Sequence, residues 1–219
     1  MDIIWDGITQ KEGLTEHAQQ VRHDLADAAQ RYHWERVLEI ISASPELVNS
    51  VRLGGSSRFT PLHQAAHGNA PVEVINKLIA MNASRGIQNA RGERPLDVAL
   101  RHGNTRLADP LAPHYRHQVP NGILLKIEAH FHAVVRGRAR VLVEDQHLRL
   151  PQLELLLELN DPRMWFPVPG MYGGFSYWLE ADGVQARLVA ESWCRVEGGS
   201  GQRHEIDSSG SRLVGEGFV

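Results

Sequence analysis

"FTPLHQAAHGNAPVEVINKLIAMNASRGIQNARGE" spans residues 59–93, and "RPLDVALRHGNTRLADPLAPHYRH" follows from Arg94. Pro61, Leu62 and Ala65 recur as Pro95, Leu96 and Ala99, each 34 residues on. Gly68-Asn69 has its counterpart in Gly103-Asn104. Proline suits a first helical turn, where no intrahelical N–H is needed. Ala65 and Ala66 are small enough for helices to approach closely. Gly68 and Gly103 are expected to end their helices in a left-handed conformation. "PVEVINKLIAMNA" predicts a second helix that buries Val72, Ile75, Leu78 and Ile79.

Upstream, "DLADAAQRYHWERVLEIISASPELVN" (residues 24–49) reads as a degenerate earlier copy. Leu25 and Ala28-Ala29 stand where Leu62 and Ala65-Ala66 stand later, with an offset of 37 because "LGGSSR" lengthens the connection. Residues 15–48 predict two helices. Thr15 is the expected N-cap, and Ala18, Val21, Leu25, Ala28 and Tyr32 recur at helical spacing. Trp34, Val37, Leu38 and Ile41 do so in the second helix, which Ser44-Pro45 closes.

The run Thr60-Pro61-Leu62-His63-Gln64-Ala65-Ala66 resembles the ankyrin-repeat signature T-P-L-H-x-A, at a period near that family's. The resemblance covers about residues 18–117. It implies a short α-solenoid of about three repeats, one close and two degenerate. The first copy lacks the signature, and the last has Arg94 and Asp97 in place of Thr and His. A domain over 15–118 is expected. Ankyrin stacks offer a concave surface of turn tips and first helices, which implies a protein partner bound through Arg58, His63, His67, Gln88, Arg91, Glu93 and His102, with no chemistry of its own.

Beyond residue 119 the pattern changes. Residues 120–146 predict a helix with Ile123, Ile127, Phe131 and Val134 on one face and a possible break at Gly137. "LRLPQLELLLEL" (148–159) leaves helix and strand open. After Asp161-Pro162 come short aromatic and β-branched runs: "RMWFPV", "GFSYWLEA", "QARLVAESWCRV" and "QRHEIDSSGSRLVGEGFV". Glycine-rich turns separate them, which is a hairpin signature. The 119–219 region is thus expected to be a small domain with one helix and an antiparallel β-meander, making the whole chain α+β. Its motifs "WFPVPGMYGGF", "ESWCRVEGGSGQRHEI" and "RLVGEGFV" resemble a segment appended to ankyrin repeats in uncharacterised bacterial proteins. That likeness implies a bacterial, cytosolic setting and no particular reaction.

"ESWCRVEGGSGQRHEI" (191–206) gathers a carboxylate, a serine, the sole cysteine, two arginines and a histidine. It lacks the Walker pattern G-x-x-x-x-G-K-[ST], so a hairpin turn is the leading reading. An anion site of glycine N–H groups plus Arg203 is the alternative. Strand alternation sends Glu191, Trp193, Arg195 and Glu197 one way, and Ser192, Cys194 and Val196 the other with Leu188 and Ala190. The first set forms a polar-aromatic outer face that Arg203, His204 or Glu205 would extend. Trp and Arg together are typical of binding hot spots. In "PVPGMYGGF", Pro169-Gly170 fits a type II turn. The bland reading is a rigid loop, and the sharper one is a pocket wall of Trp165, Tyr172 and Trp178.

An enzymatic alternative places an active site around Trp193, Arg195, Arg203, His204 and Glu205, with Cys194, His204 and Glu205 as the catalytic set, or Ser192 with His204 and Asp207. A thiolate needs a base nearby, so this depends on strand register. No cofactor motif is present. His130 and His132 diverge on a helix, and neither Glu128/His132 nor His114/His117 has two further ligands at a metal-site spacing. Arg136, Arg138 and Arg140 read as a solvated face.

The bulk numbers bound these readings. The chain has 219 residues, 42% hydrophobic, net charge −3 and one cysteine. That is room for two small domains with packed cores. An internal disulfide is excluded, nucleic acid is disfavoured as a partner, and no stretch is long and apolar enough to cross a membrane. A cytoplasmic protein is expected, of undetermined oligomeric state. The favoured reading is a protein-interaction module, either an adaptor or an immunity-type inhibitor, that contacts another protein through the concave surface, with the outer sheet face, including Tyr172, Trp193, Arg195 and Arg203, as a second candidate surface.

Overall fold

The computed structural model describes residues 3–195 and 200–217. The expected placements of Val196 and Glu197, and the Gly198-Gly199 turn, lie outside the described residues. The chain divides into two compact units. One is Ile8–Pro113, and the other joins residues up to Gly7 with those from His114 onward.

The Ile8–Pro113 unit is helical. α1 (Glu16–Gln30) begins where the Thr15 hydroxyl accepts the Ala18 N–H at 3.2 Å, a cap that satisfies one otherwise orphaned donor. α1 buries Leu25, Ala28 and Ala29; α2 (Trp34–Ala43) buries Val37, Ile40 and Ile41. α3 (Pro61–His67) starts at Thr60, whose hydroxyl accepts the His63 N–H. α4 (Val72–Ala80) buries Ile75 and Leu78. α5 (Pro95–Arg101) starts where the Asp97 carboxylate accepts the Arg94 N–H at 2.8 Å. A three-residue 3₁₀ turn, Thr105–Leu107, leads into the four-residue α6 (Ala108–Leu111). Leu25, Ile41, Leu62, Ile75, Leu78, Val98, Leu107 and Leu111 share one core. Each such aliphatic side chain contributes about 1.5–3 kcal/mol on leaving water. Ala65, Ala66 and Ala99 are fully buried, and their short side chains let α3 pack between α1 and α5.

Two asparagines tie successive layers together. The Asn49 amide donates to the Asn82 carbonyl and accepts from the Ser84 N–H, both at 2.9 Å. Asn104 donates to the Ala66 carbonyl at 2.9 Å.

The expected ankyrin-like solenoid is corrected here: the structure is α+β and does not show an ankyrin solenoid. The helix pairs are unequal, 15 and 10 residues for α1 and α2, 7 and 9 for α3 and α4. The third pair degenerates into a seven-residue helix, a 3₁₀ turn and four helical residues. The 34-residue step fixes helix starts at Pro61 and Pro95 and does not carry over to the helices that follow them. Gly68 is a second correction. Its φ is −80°, and Asn69 takes the left-handed conformation at 50°. Gly103 does adopt φ 74°.

The second unit is built on a six-stranded sheet in the order β1 to β6. β1 (Ile3–Ile4) pairs in parallel with β2 (Arg163–Val168). β3 (Gly173–Ala181), β4 (Arg187–Cys194), β5 (Ser200–Asp207) and β6 (Gly210–Gly217) follow, each antiparallel to its neighbour. The expected antiparallel meander is therefore corrected to a mixed sheet, because residues from the start of the chain add a parallel edge strand. α7 (Asn121–Asp145) buries Ile127, Phe131, Val134 and Val135. Phe131 lies 4.9 Å from the Tyr177 ring, so α7 covers the face bearing Met164, Phe166, Phe175, Tyr177 and Leu188. The helix is interrupted at Ala139 (φ −140°, ψ 31°), two residues past the anticipated break. Residues 148–159, open in the sequence, contain a 3₁₀ helix, Leu153–Glu158, with Leu153, Leu155, Leu156 and Leu157 buried.

Candidate functional site

The sheet face opposite α7 carries the densest polar-aromatic arrangement in this unit. Strand alternation places it there. In β2, Met164, Phe166 and Val168 are buried while Arg163, Trp165 and Pro167 are partly exposed. Register then aligns residues across strands. Trp165 faces Ser176, Ser176 faces Glu191, and Glu191 faces Arg203. Arg163 faces Trp178, Trp178 faces Val189, and Val189 faces Glu205.

Glycines clear the space for the indoles. Trp165 and Trp193 stack at 5.0 Å between centroids, 23° apart. Gly174 lies between them, and a Cβ there would fall 2.9 Å from the Trp165 ring and 2.2 Å from the Phe166 carbonyl oxygen. At Gly173 a Cβ would fall 2.0 Å from the Trp193 carbonyl oxygen. The Gly-Gly pair is therefore a steric requirement of the close strand pairing that carries the stack. Trp193 keeps 40% of its surface exposed.

A charge ladder runs beside the indoles. Arg203 Nη1 donates to Glu191 Oε1 at 3.0 Å, and Nη2 lies 3.6 Å from Glu180 Oε1. Arg187 Nη2 donates to Glu180 Oε2 at 2.6 Å, and Arg212 Nη2 to Glu205 Oε2 at 2.6 Å. The Arg212 hydrogen bond, first among its causes, holds the Glu205 carboxyl below its usual range. Such exposed pairs add little stability individually, so their effect is to orient side chains. Arg163 stacks 3.9 Å over Trp178, and Arg203 approaches the same ring at 5.5 Å. Each contact is worth about 0.5–1 kcal/mol at an exposed site.

The outer face anticipated from Trp193, Arg195 and Arg203 is thus brought together with Trp165, Trp178 and Arg163. Arg195 lies one residue past β4 and is exposed. Glu205 joins this face and His204 does not. His204 pairs with Ala190 and Leu213 on the α7 side, where burial, then Arg138, lowers its pKa. Cys194 pairs with Ser200, so the register separates it from His204 and from Glu205, and no Cys194–His204–Glu205 set is assembled. Ser192 lies on the α7 side, where its hydroxyl accepts from Arg138 Nε at 3.2 Å, and it pairs with Gln202. Tyr172 is 75% exposed in the β2–β3 connection, after a Pro169-Gly170 turn closed by Met171 N–H to Val168 carbonyl at 3.0 Å. Arg163 went unnoticed in the sequence, although the two-residue alternation of "RMWFPV" marks it as outward.

In the helical unit the expected contact residues separate into two groups. His63 is corrected from a contact residue to a framework one: it is 0% exposed, with its Nδ1 on Thr60 and its Nε2 donating to the Glu93 carbonyl at 3.0 Å. His67 and His102 meet edge to face at 4.3 Å, and Tyr32 contacts His67 Nδ1 at 2.8 Å. Burial, then His102 and Arg101, lowers the His67 pKa. Glu93 is held by Arg101 at 2.6 Å and by Asn89 at 2.9 Å. Arg58 and Arg91 are exposed and Gln88 partly buried. A pocket of about 220 Å³ lies among Leu25, Ala29, Gln30, Arg52, Phe59 and Gln64. No cluster of three or more metal-ligating side chains occurs among the described residues. None of their helices is long and apolar enough to cross a membrane.

No family model matches the chain, and no curated protein matches it. Among solved structures, it is similar to a chain from the complex of a predatory endopeptidase of Bdellovibrio bacteriovorus with an immunity protein. The identity is 26% over 40% of this chain and 42% of that one, with a TM-score of 0.34. The chain thus spans less than half the length of that relative.

Proposed function

We propose that this protein binds another protein, as an adaptor or as an immunity-type inhibitor, and that the outer face of its sheet is the contact. The observation that carries this reading is the Trp165–Trp193 stack beside the Arg163–Trp178 pair on a solvent-facing sheet. A large, rigid indole loses little conformational freedom on binding, and Trp and Arg are both enriched among hot spots. The charge ladder supplies the polar surround, with its guanidiniums already oriented. The face is open, and its members are held by one another, which suits recognition better than turnover.

The test is retention of partners from the native host by the intact protein and by variants. Trp193→Ala and Arg203→Ala are expected to lose the partner while keeping wild-type far-UV circular dichroism. Arg58→Ala and Arg91→Ala, in the helical unit, are expected to keep it. Unchanged retention by both sheet variants would refute the reading.

A further inference from the structure

We infer that the partner presents an extended acidic segment to this face, with a carboxylate seated on Arg163 and an apolar side chain on the indole stack. The inference rests on the protein-binding reading above and names the chemistry of the contact. In the ladder, Arg187, Arg203 and Arg212 are matched by Glu180, Glu191 and Glu205. Arg163 stands outside that balance. Its guanidinium carbon lies over the Trp178 ring, 3.9 Å from the centroid, and it has no carboxylate partner among the described residues. Contact with the ring occupies one face of the group and leaves the N–H donors in its plane available. A weakly hydrated, fixed guanidinium of this kind accepts a carboxylate in bidentate fashion. Arg195, exposed and without a partner among the described residues, is a second such cation. The surplus is local, because the chain as a whole carries −3.

The register gives the segment its length. Val189 is the β4 residue aligned with Arg163 through Trp178, and Arg195 follows it by six positions. That is about 20 Å at a strand rise of ~3.3 Å per residue, so six or seven extended residues bridge the two cations. The indole stack lies between them, suited to an apolar residue in the middle of the segment. Stacked indoles and guanidiniums also serve single-stranded nucleic acid. A phosphate at every nucleotide, however, needs an unbroken positive track, and Glu180, Glu191 and Glu205 interrupt this one.

The experiment titrates the full chain, ¹⁵N-labelled, with the peptide Ac-Asp-Glu-Leu-Leu-Asp-Glu-Asp-NH2. The indole N–H signals of Trp165, Trp178 and Trp193 are followed, with buried Trp5 as the internal reference. Saturable shifts confined to the three outer indoles are expected. Binding should weaken at least tenfold in Arg163→Gln and less in Arg163→Lys, which keeps the charge and loses the fork. The same peptide with lysine in place of its acidic residues should not bind. Absence of shifts, equal binding by Arg163→Gln, or tighter binding of an eight-nucleotide oligothymidylate would each overturn the inference. Loss of partner retention in Trp193→Ala without acidic-peptide binding would defeat this inference and leave the protein-binding reading standing. Retention indifferent to both Trp193→Ala and Arg203→Ala would defeat the reading itself.

Discussion

A methyl group at position 68 has no room. An added Cβ would lie 2.5 Å from the Tyr32 ring, and Tyr32 is itself held at φ 60° with its hydroxyl on His67. Gly68 has an ordinary φ of −80°, so alanine there is excluded by space and not by backbone conformation. Gly68→Ala is therefore expected to destabilise by about 1–3 kcal/mol, the usual cost of overpacking, while Gly68→Ala combined with Tyr32→Ala should recover most of that loss relative to Tyr32→Ala alone. A double-mutant cycle in urea reads the coupling. Gly174→Ala is expected to be worse, since its Cβ would strike the Phe166 backbone carbonyl at 2.2 Å, and no side-chain removal should rescue it. The sequence shows Gly68 as a helix terminator because that signal is local, whereas the tyrosine that requires it lies 36 residues earlier. The outer-face tryptophans and arginines are more legible, since a two-residue alternation carries them. Which of Arg203, His204 and Glu205 shares the face of Trp193 depends on register, and the Cα pairing of Trp193 with Gly201 selects the first and third.

Among the elements, α7 shows how buried titratable groups hold an irregular segment. Two side chains one turn apart on it dock residues 151–153: the Glu128 carboxylate accepts the Leu153 N–H at 2.7 Å, and His132 Nε2 donates to the Pro151 carbonyl at 2.7 Å. Their pKa values move in opposite directions for the same main cause. Desolvation raises Glu128 and lowers His132, because burial disfavours whichever form is charged. The unfolded chain therefore binds a proton at His132 more readily than the folded one, so stability rises with pH across the window below the ordinary histidine value. His67 and His204 are shifted the same way. Glu128 acts in the reverse sense, above the ordinary carboxylate value, where its buried charge is a cost. The urea midpoint is expected to fall between pH 7.5 and pH 5.5, and to fall less in His132→Gln, whose amide can still donate to Pro151. An equal pH dependence in the two proteins would show that His132 does not carry it. The sequence places Glu128 and His132 on one helical face but cannot reveal what they hold, because "LRLPQLELLLEL" has neither a clean two-residue nor a clean 3.6-residue period. Five leucines are buried in it all the same, four of them in 3₁₀ geometry that no simple periodicity signals.

For the whole molecule, each unit has its own core, and the second draws on both ends of the chain. Trp5 is 1% exposed; its indole N–H donates to the Arg149 carbonyl at 2.7 Å, and the Arg149 guanidinium lies 4.5 Å from the ring. Arg149 returns a hydrogen bond to the Asp6 carbonyl at 2.9 Å. Gly7 lets the backbone pass Phe166, where a Cβ would come within 2.7 Å. A parallel strand of two residues has no turn to announce it and no periodicity of its own, which is why this pairing is invisible in the sequence while the β2–β6 hairpins are not. The helical unit, by contrast, closes its core with residues 25–111, all of them local to it. The two units should therefore respond differently to changes at the start of the chain. Trp5→Ala removes a buried aromatic and leaves the Arg149 carbonyl without its donor, a loss of about 3–5 kcal/mol by the usual range for large-to-small core substitutions. Near-UV dichroism from the outer indoles should melt earlier in urea. The residue 8–113 fragment, which lacks Trp5 altogether, should still unfold cooperatively with a helical far-UV spectrum. If Trp5→Ala instead left the sheet's transition unmoved, the first residues would be ornament on the sheet edge and not part of its core.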